Sequence, residues 1–389
     1  MVFVGTVGLI PKRALSRHFE LVSKSQSVKM LKQIQHDTIL YQKKALPGDL
    51  IVMVGGRVGL DGIHGATFSS EALTGGSPTS AVQIGDPITQ KKLSDALVKE
   101  ARNKGLYHSI TDNGAGGLSC SVAEMAKEAG GCRVKLEKVP LKYPGLKPWQ
   151  IWISESQERM TLAVPKKKWQ QLLSLLRRRG VEASVIGEFT DSGKCTVLYK
   201  SNKVMDLDMQ FLHDGLPKRH LKSSLYVRKY SEPKLPPATD LTSVLLKMLS
   251  RLNIASFEFI SIQYDHEVQG NSVLKPLQGR GRINSDTTVI RPILSSQKGI
   301  ILSQALYPTY SDIDTYAMAA ASIDNAVRNV VAAGGNPEKI ALLDNFCWCS
   351  STDPKRLYQL KRAVRACFDH ATYYQTPFIS GKDSMFNDF

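Results

Sequence analysis

A short apolar run that empties into glycine limits what this chain can fold into more than any other feature. Leu50-Ile51-Val52-Met53-Val54 reads as a buried strand, and residues 55–67 behind it (GGRVGLDGIHGAT) hold five glycines in thirteen positions. A strand that opens onto such a loop lets backbone N–H groups come close to an anion. No Gly-Lys-Ser/Thr closes the loop, so it is not a Walker loop. The spacing differs from the Rossmann fingerprint, and no helix pattern starts on its last glycine. Taken alone, the glycines equally suit a tight irregular turn.

Around this loop, strand and helix patterns alternate. Asp86-Pro87 caps a helix to about residue 104, with Leu93, Ala96, Leu97 and Ala101 on one face and Gly105 at its exit. A second helix covers 165–179, with Trp169, Leu172, Leu173 and Leu176 inward and Gly180 as its stop. A strand at 183–189 turns at Asp191-Ser192-Gly193 into another at 195–199. Prolines 233, 236 and 237 stiffen a stretch that excludes regular structure. The chain therefore divides into a domain at 1–229, a linker at 230–238 and a domain at 239–389. The second domain reads as a helix at 240–252, strand-like segments to Pro292 and at 298–306, and a long helix at 314–333. A strand at 340–343, a helix at 353–372 and a strand at 377–379 complete it.

Composition narrows the class. Hydrophobic content of 42% and charged content of 22% are ordinary for a globular protein of two or three domains. No apolar run approaches the roughly 20 residues of a membrane span, and the first residues lack the pattern of a signal peptide. Six scattered cysteines form no metal-type double pair, which suggests reduced thiols in a cytoplasm. The net charge of +16 is spread over clusters such as Lys166-Lys167-Lys168 and Arg177-Arg178-Arg179, with no interleaved aromatics. It is read as a solvated face that raises the local concentration of anionic substrates, with nucleic-acid binding as the minor alternative.

Several segments could carry chemistry. Gln83 and Asp86 flank a helix start that favours an anion; Asp86 reads first as the N-cap, whereas Gln83 has no such structural reason. Asp112 stands at a strand end before Asn113-Gly114-Ala115-Gly116-Gly117; it suits Mg²⁺, which takes oxygen ligands, and equally an Asx turn. Glu155, Ser156 and Gln157 follow an apolar strand and offer acceptor, hydroxyl and amide in a row. His266 lies between acids, as a metal or acid–base group or as a hydrogen-bonded structural one. Asp344-Asn345 and Ser380-Gly381-Lys382-Asp383-Ser384 repeat the pattern of a strand followed by an acid or a glycine with a hydroxyl. Strand ends of this kind favour a nucleotide–Mg²⁺ site. Protease, redox and zinc motifs are absent from the sequence.

These segments also carry a resemblance. GGRVGLDGIHGATF at 55–68, VQIGDP at 82–87, SESQERM at 154–160, YDHEVQG at 264–270 and SGKDS at 380–384 are similar to phosphoribosylformylglycinamidine synthase of the PurL type, in order along the chain. The resemblance implies an α+β / α/β fold. A PurM-like C-terminal domain of one copy would be followed by the ferredoxin-like PurM-like N-terminal domain of the next. It implies a ligase that uses ATP and Mg²⁺ to activate the formamide oxygen of formylglycinamide ribonucleotide as an iminophosphate. Ammonia from a glutaminase partner then displaces phosphate. It further implies that Gln83, Glu155, Ser156, Gln157 and Ser384 contact the ribonucleotide, that Asp112 holds Mg²⁺, and that Asp344 and Gly381 touch ATP. The glycine-rich loop would shape the phosphate pocket.

Two departures stand out. Lys382 occupies a position where relatives carry a metal-ligating Asn, and a cation cannot ligate Mg²⁺. The family's catalytic histidine segment and first ATP-binding domain would precede Met1, and a last domain would follow Phe389. This implies a polypeptide that is inactive alone or that needs the missing N- and C-terminal synthetase domains. The competing readings are another PurM-superfamily enzyme, such as aminoimidazole ribonucleotide or selenophosphate synthetase, and a non-enzymatic basic binding fragment.

Overall fold

The structure, a computed structural model, describes residues 2–8, 44–63, 85–227, 230–235, 237, 240–263 and 267–387. Gln83, the glycine-rich loop from His64 onward, and Tyr264-Asp265-His266 lie outside the described residues. The chain forms two compact units. The first takes the described residues from Lys44 to Arg219; the second takes β1 (Val2–Gly8) and the residues from His220 onward.

In the first unit, β2 (Leu50–Gly55) leads toward helix α1 (Pro87–Ser94), which continues as a π-helical stretch, Asp95–Ala101. Then follow β3 (Ser109–Asp112), α2 (Gly117–Ala129), β4 (Cys132–Lys135), α3 (Pro148–Ile153) and β5 (Arg159–Val164). The unit closes with α4 (Trp169–Arg178), β6 (Ala183–Phe189), β7 (Lys194–Tyr199), β8 (Asn202–Asp208) and α5 (Met209–Asp214). The strands form one mixed sheet in the order β3-β5-β2-β6-β4-β7-β8.

The run at 50–54 is apolar throughout because β2 is buried on both faces. Ile51 and Met53 pack with Leu118, Val122 and Met125 of α2. Val52 and Val54 pack with Leu93, Ala96 and Leu97 on the other side, together with Leu172 and Leu176 of α4. The result is three layers, helix–sheet–helix, with the glycine-rich loop leaving the middle of the sheet.

Local signals account for most of these elements. Asp86 accepts a hydrogen bond from Thr89 N at 3.0 Å, and Pro87 follows it, as the helix start at 86–87 requires. In α4 the buried stripe is Leu172, Leu175 and Leu176, whereas Leu173 is only half-buried. The segment before Glu155 was expected as a strand and is the helix α3. Pro148 occupies its first turn, and the Gln150 side chain accepts from Lys147 N at 2.8 Å.

The second unit continues with α6 (Thr242–Leu249), α7 (Glu258–Ser261), β9 (Ser272–Leu274), β10 (Leu277–Gln278), β11 (Ile283–Asn284) and β12 (Thr287–Ile290). It ends with β13 (Ile300–Ala305), α8 (Thr315–Ala332), β14 (Ile340–Cys347), α9 (Pro354–Tyr374) and β15 (Phe378–Ser384). Its main sheet has the order β15-β14-β1-β13-β12-β9. Met318, Ile323 and Ala326 of α8 and Ala363 and Ala366 of α9 pack against Leu342 and Phe346 of β14. This α+β arrangement matches the expected fold class.

Three boundaries differ from expectation. β1 pairs antiparallel with both β14 and β13, so it belongs to the second unit and not to a domain at 1–229. The units divide at Arg219/His220, ahead of the proline-rich 230–238. Hydrogen bonds explain this: Ser224 N donates to Pro354 O at 3.0 Å, and the Tyr230 hydroxyl donates to Asp312 O at 2.7 Å. Finally, β14 runs on through Asp344 to Cys347, and β15 includes residues 380–384. Parallel pairing of the two strands keeps both extended. Among the described residues, no helix is long and apolar enough to cross a membrane.

Candidate functional site

Three loops of the first unit meet at one end of the sheet. They are the glycine-rich loop from Gly55 to Ile63, the turn from Asp112 to Gly117, and the segment from Ser154 to Glu158. Their contacts run largely through the main chain. Gly56 N donates to Glu158 O at 2.9 Å, and Gly59 N donates to the Ser156 hydroxyl at 3.0 Å. The Ser154 hydroxyl donates to Gly59 O at 2.8 Å. Gly116 N donates to Glu155 Oε1 at 2.7 Å, and Gln157 Nε2 donates to Gly114 O at 3.2 Å.

Glycine is required where these backbones touch. A Cβ on Gly55, at φ +102°, would overlap Glu158 O, and one on Gly117, at φ +60°, would overlap Ser154 O.

The side chains divide by burial. Glu155 and Ser156 are buried and are engaged by the backbone of the neighbouring loops, while Gln157 is exposed. Asp112 is exposed at the end of β3. Its Oδ1 accepts from Gly114 N at 2.8 Å, so the Asx turn exists. Among the described residues its Oδ2 has no partner. A hard carboxylate oxygen left open in this way suits Mg²⁺, which takes one or two carboxylates and completes its shell with phosphate and water. The described residues contain no cluster of three or more His, Cys, Asp or Glu that could hold a metal ion.

Behind Asp112, Asn113 is fully buried; its Oδ1 accepts from Ser121 Oγ at 2.6 Å and Thr161 Oγ1 at 2.9 Å. Asp61 forms an ion pair with Lys142 at 2.8 Å. Burial opposes ionisation of Asp61, but hydrogen bonds from Lys142 and Ser156 outweigh it and hold its pKa below the usual value. A cavity of about 290 Å³ opens beside the loops, lined by Gly55, Gly56, Arg57, Asp86, Lys92 and Glu182 among others. Asp86 lines it while also capping α1.

The second unit holds the other expected residues. Asp344 lies within β14, in parallel register with Gly381 of β15. A Cβ on Gly381 would overlap Asp344 Oδ1, so the glycine makes room for the carboxylate. Burial raises the pKa of Asp344, and the charge of Asp383 adds to it. Ser384 is buried, and its carbonyl accepts from Trp348 N at 2.8 Å. Lys382 is exposed, in register with Asn345.

The two folds and the loops they carry define an AIR synthase related protein. Residues 47–200 match the family described as AIR synthase related protein, C-terminal domain, and residues 284–387 match AIR synthase related protein, N-terminal domain. Within that class the chain is similar to part of a PurL subunit.

It is similar to phosphoribosylformylglycinamidine synthase subunit PurL of Thermoplasma volcanium, at 34% identity over 366 residues, covering 92% of this chain and 47% of the relative. Among solved structures it is similar to Thermotoga maritima PurL complexed with FGAR, at 28% identity and a TM-score of 0.69, covering 89% of this chain and 53% of the other. That protein complexed with ADP gives 25% identity and a TM-score of 0.67, covering 89% and 51%. The chain thus spans about half the length of the relatives it matches.

Proposed function

We propose that this chain supplies substrate-binding and nucleotide-binding elements of phosphoribosylformylglycinamidine synthase. The reaction is ATP- and Mg²⁺-dependent conversion of formylglycinamide ribonucleotide to its amidine in purine biosynthesis. The observation that carries the reading is the convergence of the Gly55, Asp112 and Ser154 loops in a chain similar to a protein complexed with FGAR.

In this reading the exposed Gln157 meets the ribonucleotide directly, with Gln83. Buried Glu155 and Ser156 act by fixing the loops. Asp112 holds Mg²⁺, whose charge offsets that of the phosphates. Asp344 and Gly381 form the ATP contact. Phosphoryl transfer asks mostly for positioning, and main-chain clasps provide rigid positions. The ammonia comes from a glutaminase subunit, and the setting is the cytoplasm.

The test is release of ADP from ATP with formylglycinamide ribonucleotide and ammonium. The chain is assayed alone and mixed with polypeptides supplying the rest of a PurL subunit. Turnover in the mixture that requires Gln157 and Asp112 supports the proposal. A folded chain that binds neither ribonucleotide nor nucleotide, and gives no turnover in the mixture, refutes it.

A further inference from the structure

Arg159, the first residue of β5, is 2% exposed. Buried cations normally face a carboxylate. Arg159 forms no ion pair with any described residue. Its Nε donates to Ser156 O at 2.5 Å and its Nη2 to Ser154 O at 2.6 Å, while Nη1 lies 3.7 Å from Met53 Sδ. The guanidinium therefore spans two carbonyls of the same loop, three and five residues behind it in the chain.

Glu158 makes this reach possible. It adopts the left-handed conformation, φ +57°, and turns the chain back on itself. Gly56 N holds the Glu158 carbonyl at 2.9 Å, and Asp86 N holds its Oε1 at 3.1 Å. Burial pushes the pKa of Arg159 down to about 10, with Asp61 opposing, so the group stays charged at neutral pH.

We propose that Arg159 is the positioning residue of the substrate loop. By fixing the Ser154 and Ser156 carbonyls it sets the segment from which Glu155 engages Gly116 N, Ser156 engages Gly59 N and Gln157 reaches Gly114 O. Its role in substrate binding rests on the reading of this loop as the formylglycinamide ribonucleotide site. Its role in loop geometry does not. Arginine is needed because two separated carbonyls call for a planar, two-pronged donor, which a lysine ammonium cannot reproduce.

Hydrogen exchange on the full chain tests this with Arg159→Met and Arg159→Lys, alongside calorimetric titration with formylglycinamide ribonucleotide. Losing bonds from a charged donor corresponds to about 10- to 100-fold in a local opening equilibrium. The amides of Gly59 and Gly116 are expected to exchange faster by that factor in Arg159→Met, and by less in Arg159→Lys. The β2 amides at 51–54 keep their rates, and ribonucleotide affinity falls in parallel.

Accelerated exchange with no ribonucleotide binding by the unsubstituted chain would uphold the positioning role and sink the substrate reading. Unchanged exchange at Gly59 and Gly116 in Arg159→Met overturns the proposal. So does an Arg159→Lys chain indistinguishable from the parent in both exchange and affinity, since charge alone would then suffice.

Discussion

Replacing Gly55 with alanine separates two reasons for a glycine. Gly55 has φ +102°, and an added Cβ would overlap Glu158 O and stand 3.0 Å from Leu93 Cδ2. Backbone strain from a side chain there costs about 1–3 kcal/mol. Prising the glycine-rich loop off the Glu158 backbone adds about 1–3 kcal/mol of overpacking. The sum is about 2–6 kcal/mol.

Gly193→Ala is the control: its φ is +71°, but nothing lies within 4 Å of its Cβ, so only strain of about 1–2 kcal/mol remains. Trp149, Trp152 and Trp169 lie in the first unit and Trp348 in the second. In a Trp348→Phe background, fluorescence follows the first unit alone during urea unfolding. With a slope of about 2 kcal/mol per molar, Gly55→Ala should lower the midpoint by about 1–3 M and Gly193→Ala by about half a molar to 1 M. Equal shifts for the two variants would refute the argument that Gly55 is there for close backbone approach.

Asn113→Ala leaves the Ser121 and Thr161 hydroxyls without their shared buried acceptor and should cost about 1–3 kcal/mol in the same unfolding assay. Asp344 has a raised pKa in the fold, so its contribution is fully present below its unfolded value near 4 and is lost as pH rises through the folded value. Asp344→Asn should therefore raise the thermal midpoint of the second unit at pH 7, with the gain vanishing below about pH 4; a gain independent of pH would contradict this. Asp112→Asn should raise the Mg²⁺ concentration needed for nucleotide to stabilise the chain, measured by thermal shift, and leave the metal-free midpoint nearly unchanged.

Much of the framework is written locally. The apolar run at 50–54, the Asp86-Pro87 start and the placing of Asp112 at a strand end each follow from a few adjacent residues, and all three hold in the structure. Ile151-Trp152-Ile153 misleads because three apolar residues suit a strand and a helix equally; Pro148 and Gln150 were the deciding signs. The glycines at 114–117 mask the start of helix α2, although Leu118, Val122, Met125, Ala126 and Ala129 fall on one helical stripe.

Other features depend on distant pairing. The place of β1 between β14 and β13, and the extension of β14 through Asp344, are set by register across more than a hundred intervening residues or by a neighbouring strand. Glu155 and Ser156 were legible as important but not as inward-facing, because their partners are backbone amides of other loops. Arg159 stands inside the SESQERM segment, but nothing in the sequence shows that its partners are carbonyls of its own loop.

The π-helical stretch Asp95–Ala101 bears on how this segment can change in length. Arg102 N bonds to Leu97 O at 2.9 Å, five residues back and not four. Such a stretch accommodates one residue more than an α-helix ending at the same place. Loss of a residue within 95–101 would let the ladder close in the ordinary way, with Leu93 still facing the sheet before it and Leu106 after it. Loss of a residue from 87–92 would instead rotate the following side chains by about 100° and carry Leu93, Ala96 and Leu97 off their buried face. The outer helix thus has a place where a residue can be removed without disturbing the layer beneath.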